Sequence, residues 1–215
     1  MSDTKHDYLL GFDLGGTKML AMVFDPDFNR LGQKKRKTKA DRGAATVVAR
    51  MIETVDDACA DAGIERDQLA AIGIGSPGPL DPYDGVIIHT PNLGFRDFPL
   101  RKKMRDEFHV PVVLDNDVNV GTYGEFHFGA GRGLRHVLGL FPGTGIGGGL
   151  ILDGRIYRGS TGSAGEIGHM ILQPDGPLCG CGQRGCLEAL ASKTSLAKEA
   201  VAAASRGRAP TVQED

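Results

Sequence analysis

Two rhythms of apolar and polar positions divide the chain. Tyr8 to Asp13 is a short apolar run ending in a carboxylate, and Met19 to Asp25 is a second run after the turn Leu14-Gly15-Gly16-Thr17-Lys18. These two runs predict a hairpin of strands. From Ala44 to Ala62 the spacing changes. Val47, Val48, Met51, Ile52, Val55 and Cys59 recur at three- and four-residue intervals, which is one stripe of a helix. Cys59 belongs to that apolar stripe as a core residue, and Gly63 suits the helix C-terminal cap. Leu69 to Gly75 predicts a buried strand that runs into the rigid loop Ser76-Pro77-Gly78-Pro79. Phe98 to Phe108 predicts a short helix, Val110 to Leu114 a strand, and Val118 to Phe126 a helix. His136 to Phe141 and Leu150 to Leu152 are strands on either side of a turn over Pro142 to Gly149, and Asp153-Gly154 turns a further hairpin. Leu187 to Ser205 is an alanine-rich helix, followed by a polar tail from Arg206 to Asp215.

Strands alternating with helices predict an α/β fold. A chain of 215 residues that is 40% hydrophobic has enough apolar side chains for one large domain or two small lobes. Tryptophan is absent, so the core is mostly aliphatic. A net charge of -2 gives no electrostatic reason to expect nucleic acid. The basic run Lys34, Lys35, Arg36, Lys37 and Lys39 suits the solvated edge of a sheet, where lysines discourage edge-to-edge pairing. No apolar run reaches the length of a membrane span. Met1 to Asp7 is polar and lacks the apolar region of a signal peptide. These features predict a cytoplasmic protein with neither nucleic acid nor membrane as partner.

Candidate chemistry gathers in the glycine loops. The 32 glycines are about twice the average share. At Gly15-Gly16-Thr17-Lys18 the backbone can form a nest of N–H groups that suits phosphate oxygens, or it can be an ordinary hairpin tip. Asp13, just before it, can hold Mg²⁺. Gly143-Thr144-Gly145-Ile146-Gly147 repeats the same logic in the middle of the chain. Asn92 can hydrogen-bond a hydroxyl or stabilise its own turn. Asn116 and Asp117 fall at the carboxyl end of a strand, where ligands of open α/β sheets bind. There Asp117 can take a proton from a hydroxyl. Alternatively, Asp115 or Asp117 caps the following helix. Finally, three of the four cysteines lie within eight residues, at Cys179, Cys181 and Cys186, with His169 upstream and Glu166 and Glu188 on either side. Three thiolates and an imidazole are a tetrahedral zinc set. A disulfide would use two of the cysteines and leave one over.

Taken in order, Asp13-Leu-Gly-Gly-Thr-Lys18, Ser76-Pro-Gly78 with Asn92-Leu93, Asn116-Asp117, Gly143-Thr-Gly-Ile-Gly-Gly-Gly149 and the stretch Glu166 to Glu188 resemble the ROK family of repressors, open reading frames and sugar kinases, within the actin-like ATPase superfamily. The resemblance implies a two-lobed, ribonuclease H-like α/β fold around a cleft, with a structural zinc loop. The lobes would comprise residues 1–118 and 119–215, with a hinge just after Asp117. Gly15, Gly16, Thr17 and Lys18 match one ATP phosphate loop, and Gly143, Thr144, Gly145 and Gly147 match the other. Asp13 matches the carboxylate near Mg²⁺, and Asp117 the catalytic base. Gly78, Asn92, Asn116, Asp117, Glu166, His169 and Glu188 match the residues that bind sugar hydroxyls. His169, Cys179, Cys181 and Cys186 match the ligands of a structural Zn²⁺.

The implied activity is ATP-dependent phosphorylation of the 6-hydroxyl of a hexose, glucose first. N-acetylmannosamine, N-acetylglucosamine and fructose are the alternative sugars, and a dimer or tetramer is the implied assembly. Family members are longer, so the C-terminal part is expected to be missing here, and these 215 residues alone are expected to bind ATP poorly and turn over little. A repressor is the competing function, but only seven residues precede the first strand, leaving no room for a DNA-binding domain. A non-catalytic sugar-binding remnant is the third. Metal removal is expected to loosen sugar binding before nucleotide binding, because the cluster fixes His169 and the two glutamates.

Overall fold

A computed structural model describes residues 7–208. The polar segment before residue 7 and the tail from residue 209 lie outside the described residues. The chain divides into two compact units between Val120 and Gly121.

The first unit contains β1 (Tyr8–Leu14), β2 (Lys18–Phe24), β3 (Arg30–Lys37), α1 (Ala44–Ala62), β4 (Leu69–Ser76), β5 (Leu80–Asp81), β6 (Val86–Thr90), β7 (Phe95–Phe98), α2 (Leu100–Phe108) and β8 (Val112–Asn116). It ends in the first residues of α3 (Asp117–Phe128), which continues into the second unit. Five strands form one sheet in the order β3-β2-β1-β4-β8. The first three are antiparallel neighbours, joined by tight turns. β1, β4 and β8 run parallel. Parallel neighbours need a long crossover, and the segments containing α1 and α2 supply them. The register aligns Asp13 with Gly75 and Gly75 with Asp115, so the parallel strands end together at one edge of the sheet.

Period-two alternation decides which face is filled. Leu10, Phe12 and Leu14 of β1, Met19, Ala21 and Val23 of β2, and Ile72 and Ile74 of β4 are buried in one core. Val47, Met51, Val55 and Cys59 of the α1 stripe are buried in it too, with Val48 and Ile52 packed at its margin. Each fully buried aliphatic side chain contributes about 1.5–3 kcal/mol. Gly63 closes α1 in the left-handed conformation, at φ 69°. β3 is the edge strand, as the basic run implied. Its Arg36 donates to Glu53 of α1 (2.6 Å), and Lys34 pairs with Asp57 (3.1 Å).

Several boundaries differ from the sequence expectation. The span 80–98 forms a three-stranded sheet, β5-β6-β7, which its prolines and glycines conceal. That sheet claims Phe98, so α2 starts at Leu100 rather than Phe98. β8 lies two residues later than expected, since pairing with β4 carries it through Asn116. Asp117 is therefore the first residue of α3 and not a link ahead of it.

In the second unit, β9 (Val137–Pro142), β10 (Ile146–Leu152) and β11 (Arg155–Ile156) form an antiparallel sheet in the order β11-β10-β9. Asp153 (φ 50°) and Gly154 (φ 77°) make its second turn, the left-handed pair that matches strand twist. β10 begins four residues before the expected Leu150, because Ile146 and Gly147 pair with Pro142 and Phe141. The glycine turn thus shrinks to Gly143–Gly145, and Gly147 lies in the strand. Gly148 allows a close approach: a methyl group there would collide with the Gly165 carbonyl and the Ile167 side chain. The expected helix over 187–205 is two helices, α4 (Leu187–Ala191) and α5 (Lys193–Ser205), broken at Ser192 in an extended conformation. The Ser192 hydroxyl accepts from the Ser195 N–H (3.2 Å) and caps α5. Among the described residues, no helix is long and apolar enough to cross a membrane.

Candidate functional site

The first unit gathers candidate groups along the carboxyl edge of β1, β4 and β8. The Gly15–Thr17 turn is locked by backbone contacts: the Gly15 N–H donates to the Lys18 carbonyl (3.0 Å) and the Thr38 N–H to the Thr17 carbonyl (2.9 Å). The Thr38 hydroxyl, fully buried, donates to the Gly15 carbonyl (2.7 Å). Thr38 is a supporting residue the sequence reading missed, since it lies beyond β3, 23 residues from its partner. Lys18 belongs to β2 and is exposed there. The turn meets the Asn92 loop, where a methyl group on Gly16 would touch Asn92 Cβ at 3.4 Å. A methyl group on Gly78 would stand 3.7 Å from Asn116 Nδ2. The fold therefore places Gly16 beside Asn92, and Gly78 beside Asn116.

Asn116 caps α3, a task the sequence reading left to Asp115 or Asp117. Its Oδ1 accepts from the N–H groups of Val118 (3.0 Å) and Asn119 (3.3 Å). Asp115 Oδ1 instead accepts from the Asn116 N–H (2.7 Å) and from Asn119 Nδ2 (3.2 Å). Asp117 accepts from the Val118 N–H (3.0 Å) and is hydrogen-bonded by the Asn116 side chain, and the residue is exposed. Protein packed around Asp117 still withdraws bulk water, and this desolvation holds its carboxyl above the ordinary 3.8. Asp13 is raised for the same reason first, then by the charge of Asp117, while Lys35 opposes the shift.

A raised carboxyl value means that the folded chain binds the proton more tightly than the unfolded chain. Once ionised, Asp13 therefore opposes folding, and that cost fades as pH falls through its raised value. Asp13→Asn is accordingly expected to raise the thermal midpoint at pH 7, with the gain shrinking toward pH 4. Scanning calorimetry at both pH values checks this, and an equal or lower midpoint at pH 7 contradicts it.

The second unit brings His169, Cys179, Cys181 and Cys186 together, with all their ligating atoms within 4.8 Å of one another. Cys179 Sγ lies 3.6 Å from His169 Nδ1, and Cys181 Sγ lies 3.7 Å from Cys186 Sγ. A zinc tetrahedron with bonds of about 2.3 Å to sulfur has edges of about 3.8 Å, so the group fits such an ion. The four cysteines are free thiols. Burial, then the thiols of Cys181 and Cys179, push Cys186 up to about 12. The Gln183 backbone N–H is the first cause holding Cys181 below its ordinary value. Glu166 is exposed at the start of the short helical turn Ile167–His169, where the His169 N–H donates to the Glu166 carbonyl (3.1 Å). Glu188, on α4, has its Oε2 on the Ile146 N–H (3.0 Å), next to the glycine turn.

A profile of the ROK family matches residues 9–212. The chain belongs to the ROK family. Its ROK relatives include the glucokinase of Halalkalibacterium halodurans, 37% identical over 193 residues, which are 89% of this chain and 58% of that protein. The xylose repressor of Bacillus subtilis is 42% identical over 130 residues, 60% of this chain and 34% of the repressor. Among solved structures, the ROK hexokinase of Thermus thermophilus is 42% identical with a TM-score of 0.79, over 94% of this chain and 65% of that one. The ROK glucokinase of Streptomyces griseus, solved with glucose and AMPPNP, is 37% identical with a TM-score of 0.78, over 93% and 62% of the two chains. The ROK chain described here thus spans less than two thirds of the length of these relatives and has their mixed α/β, actin-like ATPase fold.

Proposed function

We propose that this ROK chain serves ATP-dependent transfer of a phosphoryl group to the 6-hydroxyl of a hexose, with glucose the preferred acceptor and Asp117 the general base. The observation that carries the reading is the placement of Asp117. It stands exposed at the carboxyl end of β8, beside the Asn116 cap and electrostatically coupled to Asp13 at the end of β1. Phosphoryl transfer depends on positioning and charge neutralisation more than on covalent chemistry. Asp117 would accept the proton of the attacking hydroxyl, while Gly78, Asn92 and Asn116 orient the sugar. Gly15 to Lys18 in the first unit, and Gly143, Thr144, Gly145 and Gly147 in the second, would cradle phosphates, while the Gly15 and Gly143 N–H groups close their own turns on the Lys18 and Gly145 carbonyls (3.0 and 2.8 Å). Asp13 would hold Mg²⁺, which neutralises charge on the transferred group.

In the second unit, Glu166, His169 and Glu188 would serve the sugar. His169, Cys179, Cys181 and Cys186 would hold a structural Zn²⁺ in a closed tetrahedron that leaves no open position for water. With Nδ1 toward the cluster, the Nε2 of His169 is available to a hydroxyl. The zinc is then a support for substrate recognition and takes no part in the chemistry.

A second reading, a sugar-responsive regulator without catalysis, is motivated by the likeness to the xylose repressor. The intact Asp117 favours the kinase, because a sensor needs no base. ADP release measured over glucose, fructose, N-acetylmannosamine and N-acetylglucosamine separates them. The kinase reading expects the highest kcat/KM with glucose. Sugar binding without ADP release for any of the four supports the regulator.

A further inference from the structure

The cysteines of the Cys/His cluster are more than 30 residues from the second glycine turn in sequence, yet one carboxylate spans the gap between them. Glu188 Oε2 accepts from the Ile146 N–H (3.0 Å), and Oε1 lies 3.6 Å from Cys179 Sγ. The fit around it is tight, because a methyl group on Gly145 would collide with Glu188 Oε2. The rest of the turn is held from the same segment. The Lys193 N–H donates to the Gly143 carbonyl (2.9 Å), and the Thr194 hydroxyl donates to the Thr144 carbonyl (2.9 Å). The segment itself is braced: the Ser192 N–H and the Ser195 hydroxyl both donate to the Glu188 carbonyl (3.1 and 3.0 Å). Residues 143, 144 and 146 are therefore each tied to the stretch that follows the last cysteine.

We propose that Glu188 is a positioning residue that couples the Cys/His cluster to the conformation of the Gly143–Ile146 turn, so that the state of the cluster reaches the loop that faces phosphate. The last clause rests on the reading of this turn as a phosphate loop. The coupling itself rests only on the contacts above. Physically, a glycine turn has many backbone conformations of similar energy. The Gly143 N–H closes this turn internally on the Gly145 carbonyl (2.8 Å). External hydrogen bonds narrow it further, and a preorganised set of N–H groups binds an anion without first losing that freedom. Glu188 supplies the bond at Ile146, and Cys179 packs against the other oxygen of the same carboxylate. Losing Cys179's fixed position frees the carboxylate and with it the turn. A ligating Cys179 gives up the proton it donates to Oε1 (3.6 Å), so metal binding steadies the glycine turn through the fixed position of Cys179 against the carboxylate.

Amide hydrogen exchange at Ile146, together with AMPPNP affinity, tests this in the wild type, Glu188→Gln and Glu188→Ala. Glutamine retains an acceptor for the Ile146 N–H, whereas alanine removes it. A bond to a charged acceptor predicts that Glu188→Ala exchanges Ile146 about tenfold to hundredfold faster and weakens AMPPNP by a similar factor, with Glu188→Gln near the wild type in both. Adding a chelator to the wild type is expected to speed exchange at Ile146, and to add little in Glu188→Ala. Unchanged exchange at Ile146 in Glu188→Ala overturns the proposal, as does wild-type exchange that a chelator leaves unaffected. If the exchange pattern appears while AMPPNP binds wild type and Glu188→Ala equally well, the coupling stands and the phosphate-loop reading falls.

Discussion

Replacing Asp117 by asparagine is expected to lower kcat for glucose phosphorylation by about 10²–10⁴, the usual contribution of a general base. The glucose dissociation constant should stay within a few-fold, because the amide keeps an oxygen acceptor and nearly the same shape. The pH profile carries further information. Desolvation holds the Asp117 carboxyl above 3.8, and a base works only when ionised. The kcat/KM should therefore fall as pH drops through that raised value, on an acid limb above that of an ordinary exposed aspartate. The variant should lose this limb along with its rate. Steady-state kinetics from pH 4 to 8, combined with calorimetric glucose binding, measures both. A variant with wild-type turnover would remove Asp117 from the chemistry.

The second large effect is expected at the Cys/His cluster. Cys186 is fully buried and Cys179 nearly so, and both belong to the set that fits a tetrahedral ion. Cys186→Ser is expected to cost on the order of 4 kcal/mol, the range associated with loss of a structural metal. For a chain of this size that is a fall of roughly 10 °C in melting temperature. A chelator should act in the same direction on the wild type and have little further effect on the variant. Elemental analysis should find one zinc per chain. A wild-type protein that contains no zinc, and whose melting temperature ignores both the chelator and the substitution, would contradict the structural role.

Much of this organisation was legible in the residues, for identifiable reasons. The α1 stripe from Val47 to Cys59 was readable because helical periodicity repeats over more than three turns and Gly63 punctuates its end. The cysteine cluster was readable because its members are close in sequence. The neighbourhoods of two strand ends were readable because apolar runs stop at Asp13 and Asp115, although β1 extends to Leu14 and β8 to Asn116. What stayed hidden depends on partners far away in the chain or on competition among similar residues. Nothing local shows that Thr38 locks the Gly15–Thr17 turn, or that Glu188 reaches Ile146 across 42 residues. The choice of Asn116 over its two aspartate neighbours as the α3 cap follows from where β8 stops, which pairing with β4 decides. The break at Ser192 is masked by alanines that favour helix on both sides, and it appears only because the following helix is tied back to Gly143 and Thr144. The sheet over residues 80–98 is made of short strands whose prolines and glycines imitate loops.

The most direct test of the kinase reading is phosphorus NMR of the product formed from glucose and MgATP by the protein bearing this sequence. The expected result is a phosphomonoester on the 6-hydroxyl, formed with the wild type and absent with Asp117→Asn at matched glucose saturation. Glucose bound by the wild type, with no phosphate transferred to any hydroxyl, would contradict it and leave the chain a sugar-binding module.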